Sequence, residues 1–466
     1  MKIYILGICG TATGSLAILL KQKGHDVFGS DKNFYPPIYD LLKENNLILL
    51  NGFIEENIKK INPDIVIIGN AIVRRNPELE YILNNKIRFY SLPEALRHFF
   101  LWETKNIVIT GTHGKTTTTS LISYIFEYAQ KKFSFLIGGI PLDFKTSARF
   151  TPKSKYFIIE GDEYDTAFFD KRSKFIHYLP DTLIINNIEF DHADIFNTLE
   201  DIQKSFYHLV RTLPTKGLII YNGDDKNIPP VLKELYCKKL SFGESEKNDL
   251  IISYQGLKNN MENAIFKFKG NEYYIKMKIN GKHNILNAAA SFLTAYHYRI
   301  PSNIIVEAIQ NFSGVVRRLN ILFNQNNKIL IEDFAHHPTA IKYTIETVKN
   351  KYPDYELIYC QHLSNNTSYR NIHLEQYKIC FQKAEKINFI LNPRYYKLPD
   401  NEKLNLKELE NHFSKERFRY FDNFVNLFNN LKPDLLNEKK QIILISSSGS
   451  LNEIKELLLK FFKEGE

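Results

Sequence analysis

The stretch from Asn106 to Thr117, Asn-Ile-Val-Ile-Thr-Gly-Thr-His-Gly-Lys-Thr-Thr, constrains this chain more than any other. Ile107-Val-Ile109 has the branched, apolar character of a buried strand, Gly111 to Thr117 is a glycine-rich turn, and a helical pattern follows. A strand feeding such a turn and helix brings backbone N–H groups and the positive end of a helix dipole to one point, which favours an anion. Lys115 is placed to reach the β- and γ-phosphates of a nucleotide, and the Thr116 hydroxyl to join a Mg²⁺ shell. The spacing departs from G-x-x-x-x-G-K-[ST], since Ile109 stands where the first glycine belongs. The strand–turn–helix context supplies the specificity that a bare G-K-T lacks.

The same beginning occurs twice more. Lys2-Ile-Tyr-Ile-Leu6 runs into Gly7, Gly10 and Gly14 and then an apolar helix face of Leu16, Leu19 and Leu20. Lys328-Ile-Leu-Ile331 runs into Glu332-Asp-Phe-Ala-His-His-Pro338 and a pattern through Ile341, Ile345 and Val348. Strands alternating with helices imply parallel sheets built from βαβ units. Three restarts in 466 residues predict three α/β domains, at residues 1–105, 106–313 and 314–466, with hinges near 105 and 313. Residues 250–280 alternate in strand fashion and predict a small antiparallel excursion in the middle domain.

Composition narrows the function. No run reaches the roughly 18 apolar residues of a membrane helix. Met1 to Gly7 lacks a signal-peptide layout, so a cytoplasmic protein with no membrane partner is expected. The four cysteines, Cys9, Cys237, Cys360 and Cys380, are scattered and fit neither a disulfide framework nor a zinc site. The formal charge of +9 is spread along the chain without a nucleic-acid-binding signature. Anionic nucleotides are the expected partners, and nucleic acid is not.

Two acidic clusters close apolar runs: Glu160-Gly-Asp-Glu-Tyr-Asp165 after Tyr156-Phe-Ile-Ile159, and Glu189-Phe-Asp-His-Ala-Asp194 after Thr182-Leu-Ile-Ile-Asn-Asn-Ile188. Ligands of open α/β sheets gather at the carboxyl ends of strands. Both clusters should therefore open beside the phosphate turn and supply metal ligands.

Further stretches carry a resemblance: Ile5-Leu-Gly-Ile-Cys-Gly-Thr11, Gly29-Ser-Asp31 with Tyr35-Pro-Pro37, Ile67-Ile-Gly-Asn-Ala71 with Asn76-Pro77, the segment from Phe168 to Phe196, and Asp333-Phe-Ala-His-His-Pro-Thr339. Together these residues resemble the Mur ligase family, which builds the peptide stem of peptidoglycan. The resemblance implies N-terminal and C-terminal Rossmann-like parallel sheets flanking a central P-loop ATPase domain. It implies Mg²⁺ as cofactor, with ATP as co-substrate. Within the family, the segment 168–196 resembles the branch that joins L-Ala-γ-D-Glu-meso-diaminopimelate to UDP-N-acetylmuramate in peptidoglycan recycling. The same chemistry on free L-alanine, or a non-catalytic UDP-sugar-binding relative, are the alternatives.

Carried over by position, the resemblance gives Lys115, Glu160 and His192 catalytic roles, with Thr116, Glu160 and His192 around the metal. Gly111, Thr112, His113, Gly114, Lys115, Thr116 and Thr117 would hold the ATP phosphates. His283, Asn284 and Asn287 would lie on the adenine side, and Arg317, Arg318 and Asp333 would close over ATP. Gly7, Gly10, Thr11, Gly14, Asp31 and Asn70 would bind the UDP-sugar. Taken alone, that glycine turn would be a weak dinucleotide signal with Asp31 as ribose partner. His336, His337, Ser364 and Arg370 would serve the amino substrate. Three positions depart from the family pattern. Leu363 replaces an arginine suited to a substrate carboxylate, leaving Arg370 as its substitute. Ser446-Ser-Ser-Gly-Ser450 replaces a glycine-rich loop, and Tyr207 stands near the position of a carbamylated lysine.

Overall fold

The structure, a computed structural model, describes residues 1–34 and 38–464, so Tyr35-Pro36-Pro37 lie outside the described residues. The described residues form an α/β protein with three main sheets, all of them rich in parallel pairing.

The first sheet has the order Ile48–Asn51, Asp26–Asp31, Lys2–Leu6, Ile65–Ile68, Phe89–Ser91, and every pair in it is parallel. Its central strand is buried on both faces from Ile3 to Leu6, which is why that strand reads as a continuous apolar run. The chain order reverses at this strand, and the ends Leu6 and Ile68 mark the switch point at which open α/β sheets take ligands.

The second sheet has ten strands. From one edge they run Asn271–Met277, Met261–Phe268, Leu250–Lys258, Lys238–Gly243, Leu218–Asn222, Thr182–Ile185, Lys105–Thr110, Tyr156–Glu160, Phe133–Leu136 and Ala148–Arg149. Pairing is parallel through the middle and antiparallel at both edges. The alternation in 250–280 is therefore an antiparallel excursion whose inward residues, Ala264, Phe266, Phe268, Ile275 and Met277, cover the helix Lys282–His297. The phosphate turn follows the strand Lys105–Thr110. Its two neighbours are the strands that end at the two acidic clusters.

The third sheet has the order Asn320–Gln325, Lys328–Asp333, Gln441–Ser446, Glu356–Leu363, Lys386–Leu391, Phe418–Phe421, and only its first strand is antiparallel. Two apolar clusters of its own cover its faces, one around Tyr359, Tyr377 and Phe389, the other around Ile443, Leu431 and Leu458. The first sheet instead shares one continuous cluster with the second, running from Ile5 and Leu19 through Phe99 and Phe100 to Phe157, Phe175 and Phe206.

Candidate functional site

The phosphate turn is held open from both sides. Gly111 (φ +125°) and Gly114 (φ +79°) occupy left-handed conformations that a side chain would strain. A Cβ at Gly114 would lie 2.4 Å from Asn287 Oδ1, so the helix Lys282–His297 packs directly on the turn. Asn187 Oδ1 accepts the His113 N–H at 2.7 Å, and Asn186 Nδ2 donates to Thr118 Oγ1 at 3.0 Å. These two asparagines end the neighbouring strand. Sequence reasoning gave them no role, although a polar pair closing an apolar run is a usable signal.

Lys115 Nζ donates to the Gly111 carbonyl at 2.6 Å and to Glu163 Oε2 at 2.8 Å. Glu163 also accepts from His192 Nε2 at 2.9 Å. Glu163 is the functional residue that the sequence reading missed inside a cluster it had singled out. Burial opposes charge on Lys115, but the carboxylates of Glu163 and Asp162 outweigh it and raise the ammonium above its ordinary range. Burial likewise opposes charge on His192, yet Asp191 and Glu163 hold the imidazolium up to about 9. Glu163 is lowered by Lys115 and His192 against its own burial.

Thr116 Oγ1 donates to Glu160 Oε1 at 3.0 Å, and Gly138 N–H donates to Glu160 Oε2 at 2.7 Å. Burial pushes the Glu160 carboxyl above its ordinary range, although Lys115 and two hydrogen bonds pull the other way. A hydroxyl and a carboxylate side by side at the mouth of a phosphate turn are oxygen donors of the kind Mg²⁺ takes together with substrate phosphates. Thr116 and Glu160 fit that ion. His192, the third predicted ligand, is turned toward Glu163 instead.

The third sheet meets this site through polar contacts. Thr339 Oγ1 donates to Glu189 Oε2 at 2.5 Å, and Asn366 Nδ2 to Asp194 Oδ2 at 3.0 Å. Thr367 Oγ1 accepts the Ala193 N–H at 3.2 Å, and His336 Nε2 lies 3.6 Å from Asp191 Oδ2. His337 Nε2 donates to the Phe190 carbonyl at 3.2 Å. His283 stacks on Tyr343 with ring centroids 5.7 Å apart. Burial, with Arg318 and His113 adding to it, lowers His283 to about 4. Asn284 Oδ1 accepts from Asn287 Nδ2 at 3.1 Å. Of the predicted adenine-side trio, His283 thus faces the third sheet and Asn287 faces the phosphate turn.

Arg317 and Arg318 part company. Arg317 Nη2 donates to the carbonyls of Ser447 and Gly449 at 2.8 and 2.5 Å, which ties it to the serine-rich loop. Arg318 is solvent-accessible within the cleft, where it is close enough to Asp333 and Glu160 to feel both charges. Asp333 accepts the N–H groups of Leu319 and Ala335 at 2.7 and 2.8 Å, and so fixes the chain that carries Arg318.

Ser364 Oγ lies 2.9 Å from the hydroxyls of Ser447 and Ser448 and accepts the Gly449 N–H at 2.9 Å. Leu363 is fully buried in the apolar core, and Arg370 is paired with Glu402. The proposed exchange of Arg370 for the missing arginine therefore needs that pair to open. Tyr207 packs at the edge of the apolar cluster on the helix Leu199–Val210.

In the first sheet, Gly7 (φ +75°) and Asn70 follow the strands that end at Leu6 and Ile68. Asp31 accepts the N–H groups of Cys9 and Lys32 at 2.9 and 2.8 Å, which orders the turn from Gly7 to Gly10. Thr11 is exposed at the start of the helix Thr11–Gln22. A Cβ at Gly14 would lie 2.5 Å from Ile38, so that glycine serves close packing. All four cysteines are free, and Cys9 is buried. Among the described residues, no helix is long and apolar enough to cross a membrane.

Comparison with known proteins agrees with this geometry. The Mur ligase family catalytic domain matches residues 2–101, and the Mur ligase middle domain matches residues 109–295. A UDP-N-acetylmuramate–L-alanyl-γ-D-glutamyl-meso-2,6-diaminoheptandioate ligase of Haemophilus influenzae is 40% identical over 350 residues, 75% of this chain and 76% of its own. A UDP-N-acetylmuramate–L-alanine ligase of Clostridium acetobutylicum is 36% identical over 361 residues, 77% of this chain and 76% of its own. The crystal structure of a murein peptide ligase from Psychrobacter arcticus superposes with a TM-score of 0.74 at 31% identity, covering 98% of each chain. On this evidence the chain belongs to the Mur ligase family.

Proposed function

We propose that this protein is an ATP-dependent ligase that joins L-alanyl-γ-D-glutamyl-meso-diaminopimelate to UDP-N-acetylmuramate, in peptidoglycan recycling. The observation that carries the reading is the convergence at the phosphate turn. Lys115, Thr116 and Glu160 stand in hydrogen-bonded reach of one another's elements, and Arg318 of the third sheet's segment faces them. The amino substrate is taken from the relatives at 40% identity that carry that name.

In this reading residues 1–105 bind the UDP-sugar, residues 106–313 bind ATP, and residues 314–466 bring the amino substrate. The first and third units are Rossmann-like and flank the P-loop unit. Gly7, Gly10, Thr11, Gly14, Asp31 and Asn70 surround the uridine diphosphate at the switch point of the first sheet. The lactyl carboxylate of the sugar attacks the γ-phosphate of ATP and forms an acyl phosphate, releasing ADP. The peptide amine then attacks the acyl carbon, phosphate leaves, and the amide forms. Lys115 offsets charge on the transferring phosphoryl group, and Arg318 adds to it from the other side of the cleft. To do so Lys115 exchanges Glu163 for phosphate, and His192 then holds Glu163 in place. Mg²⁺, held by Thr116 and Glu160, would supply further charge neutralisation. His336, His337 and Ser364 line the side from which the amine arrives. Closure of the third unit excludes water from the acyl phosphate.

The test is phosphate release from ATP and Mg²⁺ with UDP-N-acetylmuramate and either the tripeptide or L-alanine. Release with the tripeptide alone is expected. Release with L-alanine instead would replace the amino substrate, and silence with both would overturn the ligase reading.

A further inference from the structure

Beside the phosphate turn, a second cluster of ligand-type side chains spans the seam between the second and third sheets. His113 comes from the phosphate turn, Glu189 from the segment that follows the strand Thr182–Ile185, and His337 from the loop after Lys328–Asp333. One ligand atom from each lies within 4.8 Å of the others, the only such group among the described residues. His113 Nε2 and His337 Nδ1 are each 3.6 Å from Glu189 Oε2. Two donors about 2.1 Å from a common tetrahedral ion stand about 3.4 Å apart, so these spacings need little adjustment.

The hydrogen bonding around the cluster is what a metal site uses. His337 gives its Nε2 hydrogen to the Phe190 carbonyl, which makes Nδ1 an acceptor; that nitrogen takes the Thr339 N–H at 3.3 Å and lies 3.6 Å from Glu189 Oε2, so an ion would displace the Thr339 contact. Backbone or carboxylate acceptors on the far nitrogen fix the tautomer of metal-bound histidines in this way. Thr339 Oγ1 holds the Glu189 carboxylate. His113 Nε2 is buried with no hydrogen-bond partner. Packing alone leaves such an atom uncompensated. A cavity of about 240 Å³ lined by Glu189, His337, Thr339 and His373 leads in from one side. His373 is only 3% exposed, both its ring nitrogens lack partners, and its ring centroid is 4.7 Å from that of His337.

We propose that His113, Glu189 and His337 form a binding site for a borderline divalent transition ion of the Zn²⁺ class, which staples the phosphate turn to the third sheet. Two imidazoles and one carboxylate select such an ion over Mg²⁺, which prefers oxygen donors. The set leaves a fourth position open toward the cavity, where water or His373 completes it. The ion is distinct from the one at Thr116 and Glu160, which belongs to the nucleotide.

The experiment uses the full chain, stripped with chelator and kept in millimolar Mg²⁺. Zn²⁺ is titrated against a chromophoric chelator, and Co²⁺ is added separately to read its visible d–d absorption. One equivalent of Zn²⁺ is expected, with a Co²⁺ spectrum of tetrahedral or five-coordinate type and a rise in melting temperature on Zn²⁺ addition. His113→Asn, Glu189→Gln and His337→Gln should each weaken Zn²⁺ binding by about 100-fold or more and abolish the rise. The three changes lie on two different sheets, so loss of folding in one leaves the others to decide. No Zn²⁺ retained by the unaltered chain, or retention undiminished in all folded variants, overturns the proposal.

Discussion

The two seams of this molecule are built differently. Between the first and second sheets, Phe99 and Phe100 join a continuous apolar cluster, with the Phe100 ring 5.7 Å from Phe150 and 5.9 Å from Phe157. Between the second and third sheets, the contacts are hydroxyls, amides, imidazoles and carboxylates. Apolar burial is non-directional and lost as soon as surfaces part, whereas polar groups can trade partners for water at little net cost. The first seam thus has the character of a core, and the second that of a polar interface. The chemistry expected of this protein sits at the second.

That contrast can be broken in several ways. The largest effect tests whether the reaction depends on the phosphate turn at the polar seam. Lys115→Ala should lower turnover of the folded protein on the order of 10³-fold, as phosphate release would show, and should also lower the melting temperature because Glu163 loses its buried partner. The apolar seam should respond in stability rather than in turnover. Phe100→Ala should cost about 3 kcal/mol or more in urea unfolding, with the specific activity of the folded fraction kept. Across the polar seam, Asn366→Ala should cost less than about 1 kcal/mol in the same measurement. Equal losses at Phe100 and Asn366 would erase the distinction.

A further effect, smaller than the loss of Lys115, concerns pH. His283 is lowered to about 4 in the folded chain from an ordinary 6.5, because it is enclosed at the seam. The unfolded chain binds this proton first, so folding loses stability as pH falls from 6.5 toward 4, by at most about 3 kcal/mol. His283→Gln should flatten a plot of melting temperature against pH in that interval, and an unchanged slope would remove His283 as the cause. The smallest effect is expected at Arg370. Its guanidinium is already paired with Glu402, so Arg370→Ala should change the KM for the peptide by less than about threefold. A tenfold rise would show that the pair opens to receive substrate.

Legibility in the sequence follows the same divide. The phosphate turn could be read because backbone geometry fixes it locally: glycines at left-handed φ, a strand before and a helix after. The antiparallel excursion could be read from its period of two. Glu163 could not be told from Asp162 or Asp165 by sequence, because only the fold decides which carboxylate of a cluster meets Lys115. Arg317 and Arg318 are adjacent in sequence, yet one is bound to the loop at Ser447 and the other faces the cleft. His113, Glu189 and His337 come from three separate stretches, so no spacing rule brings them together.

The linker between the second and third sheets has one more consequence. Leu142 N–H donates to the Gly314 carbonyl and Val316 N–H to the Ile140 carbonyl, both at 3.0 Å, so residues 314–316 belong mechanically to the second sheet. Beyond Val316 the chain turns at Arg317 and Leu319, both at positive φ, and there Asp333 holds the Leu319 N–H at 2.7 Å. Arg318 therefore sits between a segment bonded to the second sheet and a residue bonded to the third. Any movement of the third sheet would carry Asp333, and with it the backbone next to Arg318, relative to the phosphate turn. In the proposed reaction, bringing up the amine and setting the Arg318 guanidinium against the phosphates would then be one movement.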